Sequence, residues 1–99
     1  MNERVYLKGP VESLDPYGPD GYQVTEFVDK EPTRQISVFG EQWISSLDEY
    51  HPLAGMTLGD QPLPPDWRPE DEDDDVEFLS QEEFEEYWAE AMRRRGSTE

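Results

Sequence analysis

The sequence predicts an α+β fold: a small, mainly antiparallel sheet of about four strands with one C-terminal helix packed on a face. Three observations carry that expectation. Segments rich in β-branched and aromatic residues, separated by Gly/Pro/Asp turn signals, fill residues 5–46. The last quarter holds one amphipathic helix with signals at both ends. The chain has 99 residues and only 33% apolar residues, so it can close one small core, to which its 12% aromatics must contribute heavily.

Val5–Lys8 alternates apolar and amphipathic residues as a first strand, ended by Gly9-Pro10. Residues 13–21 carry Asp15-Pro16, Gly18-Pro19 and Asp20-Gly21 and read as a connecting loop. Tyr22–Asp29 is a second strand, and Lys30-Glu31-Pro32-Thr33 is expected to turn the chain. Arg34–Phe39 and Gln42–Ser46 form a third and fourth strand. Gly40-Glu41 between them suits a two-residue type II′ hairpin, which pairs Phe39 with Gln42, Val38 with Trp43 and Ile36 with Ser45. Val38 and Trp43 then meet on one face as an aromatic–β-branched pair.

Residues 47–59 show no clear period and are expected to be irregular. Ser46 and Glu49 have capping-box spacing for one helical turn, which Pro52 would cut short. Four prolines between Pro62 and Pro69 force an extended path. Leu58, Leu63 and Trp67 give this stretch the means to strap across the body. Pro62-x-x-Pro65 also matches a minimal groove ligand, a weak signal beside strapping. Glu70–Asp75 is six consecutive acids, read as a solvated, mobile linker before the helix, and Val76–Leu79 can add a brief edge strand. The domain spans 1–99.

The helix has full punctuation. Ser80 stands as N-cap with Glu83 three residues on, and Leu79 and Phe84 are spaced as a hydrophobic staple. Phe84, Tyr87, Trp88, Ala91 and Met92 recur as one apolar stripe. Acids fill its first turn, Arg93-Arg94-Arg95 the last, and Gly96 sits where a C-cap belongs. The expected core is Phe27, Ile36, Val38, Trp43, Leu79, Phe84, Tyr87 and Trp88.

Charge is the strongest compositional fact: 25 acids against 8 bases, net −17. It is uneven, with 13 acids and 3 bases in residues 70–99 alone. Such a chain repels nucleic-acid phosphates and anionic membranes, which leaves a basic protein partner, a cation, or solubility alone. Without cysteine there is neither disulfide nor thiolate metal site. No apolar run approaches the ~18 residues of a membrane span, and Met1-Asn2-Glu3-Arg4 lacks the regions of a signal peptide, so a cytoplasmic location is expected.

Few residues carry recognisable chemistry. Asp71, Asp73, Asp75 and Glu82 occupy positions 1, 3, 5 and 12 of a calcium-loop pattern, but Val76 stands where that pattern needs Gly, so no metal is assigned. His51 has Ser45, Ser46, Asp48 and Glu49 near it in sequence, at spacings that make no catalytic motif. No phosphate loop, dinucleotide turn, zinc spacing or nucleophile elbow occurs. The expectation is a non-enzyme without cofactor, and no feature of the sequence sets an oligomeric state.

Three segments resemble a family of small bacterial domains of unknown function: Arg34-Gln-Ile-Ser-Val-Phe-Gly-Glu41, Leu58-Gly-Asp-Gln-Pro-Leu-Pro-Pro65 and Val76–Trp88. The resemblance implies a strand meander running into a Pro-Leu-Pro-Pro strap and a capped Glu-Glu-Phe-x-x-x-Trp helix. It brings no catalytic residues and no activity. The functional expectation is a non-catalytic acidic binding domain of the immunity or antitoxin type, engaging a basic protein through Glu70, Asp71, Glu72, Asp73, Asp74, Asp75, Glu82 and Glu86. A nucleic-acid mimic that blocks a DNA- or RNA-binding protein is the alternative, and a small enzyme using acids near His51 is a third.

Overall fold

The computed structural model describes residues 3–11, 17, 20–47, 50–51, 55–58, 62–72 and 74–96. Its strands are β1 Arg4–Val11, β2 Gly21–Val28, β3 Glu31–Phe39, β4 Gln42–Ser45, β5 Tyr50–His51, β6 Gly55–Met56 and β7 Glu77–Leu79. Five of them form the main antiparallel sheet in the order β4-β3-β2-β1-β7. The two short strands β5 and β6 pair separately as a small hairpin. Among the described residues one α-helix, α1 Gln81–Gly96, covers one face of the main sheet. The fold is α+β as expected, with the edge strand after the acidic run as the fifth member of the sheet.

The β3–β4 hairpin has the register read from the sequence: Phe39 opposite Gln42, Val38 opposite Trp43 and Ile36 opposite Ser45. Gly40 has φ 61° and Glu41 stays at negative φ, the type II′ pattern. The preceding turn falls elsewhere than expected. Asp29 and Lys30, at φ 50° and 71°, make a two-residue turn of the I′ kind, and β3 starts at Glu31 rather than at Arg34. Pro32, expected in the turn, lies in the ladder instead. It is tolerated opposite Phe27 because the register shifts there, where a bulge removes the need for its missing donor.

The register sorts the side chains into two faces. Tyr6, Val24, Ile36 and Val38 meet Phe84 and Ala91 of the helix in the buried core, with Tyr22, Trp43, Leu79, Tyr87, Trp88 and Met92 around them. The Ser80 hydroxyl accepts the Glu83 amide at 3.1 Å, and the Glu83 carboxylate accepts the Ser80 amide at 2.9 Å, so the capping box is closed. The helix continues through Gly96, the residue expected to stop it. Phe27 is a correction to the expected core. It follows Glu26, which shares the helix-facing side with Tyr6 and Arg34, and strand alternation therefore turns Phe27 to the far face.

That far face is covered too. Leu7, Phe39 and Ile44 are buried on it, together with the polar side chains of Thr25, Gln35 and Ser37. The proline-rich strap lies along it. The Leu63 amide donates to the Lys30 carbonyl at 2.8 Å, the Lys30 ammonium donates to the Pro65 carbonyl at 2.6 Å, and the Trp67 ring lies 6.3 Å from that of Phe78. Among the described residues no helix is long and apolar enough to cross a membrane.

Candidate functional site

Where the charge sits depends first on what the bases are doing. Arg34 forks onto Glu26 through two 2.8 Å bonds, reaches Glu85 at 2.8 and 3.2 Å, and lies 4.9 Å from the Phe84 ring centre and 5.1 Å from that of Trp88. The Lys8 ammonium donates to the Tyr87 hydroxyl at 3.0 Å and stands 4.5 Å over the Tyr22 ring. Arg94 bonds Glu90 at 2.7 Å and stacks 4.9 Å over Trp43, and Arg93 pairs with the same Glu90. With Lys30 held by the strap, at least five of the seven bases whose side chains are described are engaged with carboxylates, rings, hydroxyls or carbonyls of the chain.

The same contacts set protonation. Glu26, whose side chain is 5% exposed, is held down to about pKa 2, first by the Arg34 bonds and then by the Thr33 hydroxyl, against the opposing effect of its own burial. Arg34 is pushed up by its two carboxylates, and Lys8 is raised chiefly by its bond to Tyr87, so both keep their charge. Burial raises Tyr22. This cluster is a structural rivet, since its ionisable groups are consumed by one another.

The acids expected to bind a partner occupy two places. Glu70 and Asp71 lie in a 3₁₀ turn, Pro69–Asp71, where the Asp71 carboxylate accepts the Arg68 amide at 3.1 Å. Glu72 accepts the Trp67 indole N–H at 2.7 Å and is half-buried, while Asp74 and Asp75 are exposed in the next turn. Residues 70–72 thus fold back on the strap instead of running free. Asp73 lies outside the described residues. Glu82 and Glu86 are exposed on α1, on the opposite side of the sheet from Glu72, while Asp75 sits at the sheet edge and borders openings on both sides. The seven described candidates do not converge on one patch.

Among the described residues no group of three or more carboxylate or imidazole side chains is gathered as metal ligands would be. His51 is half-exposed in the β5–β6 hairpin. Ser45 is buried in the sheet and the Ser46 hydroxyl accepts the Gln35 amide at 3.1 Å, while Asp48 and Glu49 lie outside the described residues. The two serines near His51 in sequence are thus committed to the sheet rather than gathered around it.

The far face holds a feature that the sequence reading missed. Between sheet and strap is an open cavity of about 360 Å³. Leu7, Phe27, Leu63 and Val76 supply apolar wall, Gln23 and Thr25 line it from β2, and Glu72 and Asp75 bring carboxylates from the acidic turn. Beneath it runs one hydrogen-bond chain: the Thr25 hydroxyl donates to Gln35 Oε1 at 3.3 Å, and the Gln35 side-chain NH₂ donates to Gln23 Oε1 at 2.8 Å. Its only sequence signal is the polar alternation Gln23, Thr25 on β2, which reads as a solvent-facing strand side. Ligand pockets usually run from ~300 to 1,000 Å³, so this one has room for a side chain or a very small molecule and little more.

Compared with models of known families, with curated proteins and with solved structures, the chain matches none.

Proposed function

We propose that this chain is a non-catalytic, cytoplasmic acidic binding domain that engages a basic protein partner, in the manner of an immunity or antitoxin-type inhibitor. The observation that carries this reading is the net charge of −17 together with the occupation of most bases by internal contacts, which leaves an outer surface dominated by carboxylates. Exposed carboxylates attract and orient a cationic surface over a Debye length, so they raise the association rate and select partners more than they add affinity. The occurrence of acids on both sides of the sheet favours a partner that wraps an edge, or one that uses one of the two acidic places.

The test is affinity capture on the immobilised chain from its own cell extract at low salt, followed by a salt gradient. A basic protein eluting stoichiometrically at moderate salt, and rebinding as a purified component, is the expected result. A complex indifferent to salt would count against the reading. The nucleic-acid mimic is separated by adding duplex DNA or RNA: a mimic competes with the duplex for its partner, whereas an inhibitor of another kind does not.

A further inference from the structure

We infer that the far-face cavity is an anchor site for one arginine side chain of the basic partner. The inference rests on the binding reading above and gives it a location. The cavity lining combines two requirements that an arginine meets together. Its walls, Leu7, Phe27, Leu63 and Val76, are apolar and suit a methylene stem, while Glu72 and Asp75 supply carboxylates for a cationic tip. No basic side chain is among its described lining residues, and the nearest base at its border is Lys8, which shares an adjoining opening with Asp75 and is bonded to Tyr87. Apolar walls beside two acids give the opening a negative potential.

Arginine is preferred over lysine on its donor chemistry. One Glu72 oxygen is already taken by the Trp67 indole, which fixes that carboxylate and leaves its other oxygen to accept. A planar guanidinium offers five donors that can be shared among several acceptors, whereas an ammonium concentrates its charge at one point. Gln23 adds a donor of its own. Its side-chain oxygen accepts from Gln35 at the end of the Thr25–Gln35–Gln23 chain, and its NH₂ is left as the terminal donor, suited to a backbone carbonyl of the entering segment. The volume of about 360 Å³ admits one such side chain and is too small for a nucleotide-sized ligand. Other candidates fall short: the Trp43–Tyr87 groove already has Arg94 and Lys8 on its rings.

The experiment is an NMR titration of the full chain with three acetylated, amidated peptides, Gly-Arg-Gly, Gly-Lys-Gly and Gly-citrulline-Gly. The expected result is a saturable shift of the Gln23 side-chain amide and the Thr25 methyl with the arginine peptide. Lysine should give a weaker response and citrulline none. The double variant Glu72→Gln/Asp75→Asn should bind the arginine peptide about tenfold or more weakly, as expected for lost charged hydrogen bonds. The introduced glutamine amide can still accept from the Trp67 indole, so the fold is retained, which dispersed amide spectra would verify. The control double variant Glu82→Gln/Glu86→Gln, on the other side of the sheet, should bind as the wild type does. Shifts spread over all exposed acids, equal losses in both double variants, or no shift at Gln23 would overturn the anchor site. The parent reading fails separately, if no basic protein binds in a salt-dependent way.

Discussion

Arg34 is the residue on which the helix-facing side depends most. Its side chain is 26% exposed, bonds a nearly buried Glu26 and a half-exposed Glu85, and lies against two aromatic rings, so it joins β2, β3 and α1 at one point. Replacing it with methionine fills the volume but leaves Glu26 buried without its counter-charge, and breaking a buried pair from one side costs roughly 3 kcal/mol or more. Urea unfolding of Arg34→Met should show that loss; a change within about 0.5 kcal/mol, typical of a neutral surface substitution, would show that the pair is merely tolerated. The pH dependence has a definite sign. Glu26 has a folded pKa of about 2 against an ordinary 4.5, so its stabilisation is complete above pH 4.5 and is lost as the pH falls from there towards 2. In Glu26→Gln that part of the acid slope should disappear, which a series of unfolding curves across this window would reveal.

At the scale of elements, what the sequence makes legible is whatever is written locally. The β3–β4 hairpin is readable because Gly40 selects one turn and the turn dictates every pair after it. The helix start is readable because Ser80 and Glu83 each satisfy the other's amide; Ser80→Ala should therefore cost about 1 kcal/mol and fray the first turn, measured by thermal unfolding followed by helical circular dichroism. Pro32 misleads because proline breaks a ladder only where its missing donor is needed, and the bulge beside it depends on the partner strand. The cavity is illegible for a related reason. Gln23 and Thr25 alternate as a solvated strand face would, and they line a cavity only because Leu63 and Val76, about forty to fifty residues further along the chain, return across them. The candidate acids are legible by type, but not by place. Residues 70–72 look like part of a free linker, yet Arg68 and Trp67 supply the donors that fold the run back. Local pattern names a carboxylate; only the topology says which side of the sheet it faces.

For the whole molecule, a net charge of −17 on 99 residues has two consequences that salt separates. Within the free domain, like charges repel and weaken the compact state, so screening should stabilise it. Between the domain and a basic partner, charges attract, so the same screening should weaken the complex, chiefly by slowing association. Raising sodium chloride from about 0.01 M to 0.15 M shortens the Debye length from ~30 to ~8 Å, a range that spans most separations between exposed acids on so small a body. The unfolding temperature of the free chain should therefore rise across this range, while the association rate with the captured partner falls. An acidic surface that serves only solubility would give the first effect without the second, because no cationic surface would be there to lose. The arginine anchor adds a finer distinction. A guanidinium seated among Leu7, Phe27 and Leu63 is partly shielded from salt, so the dissociation rate should change little over the same range. In Glu72→Gln/Asp75→Asn that rate should instead be raised at every salt concentration. Stopped-flow or surface-based kinetics on the wild type and this variant measure both rates, and a variant altered only in its association rate would mean that the cavity holds nothing.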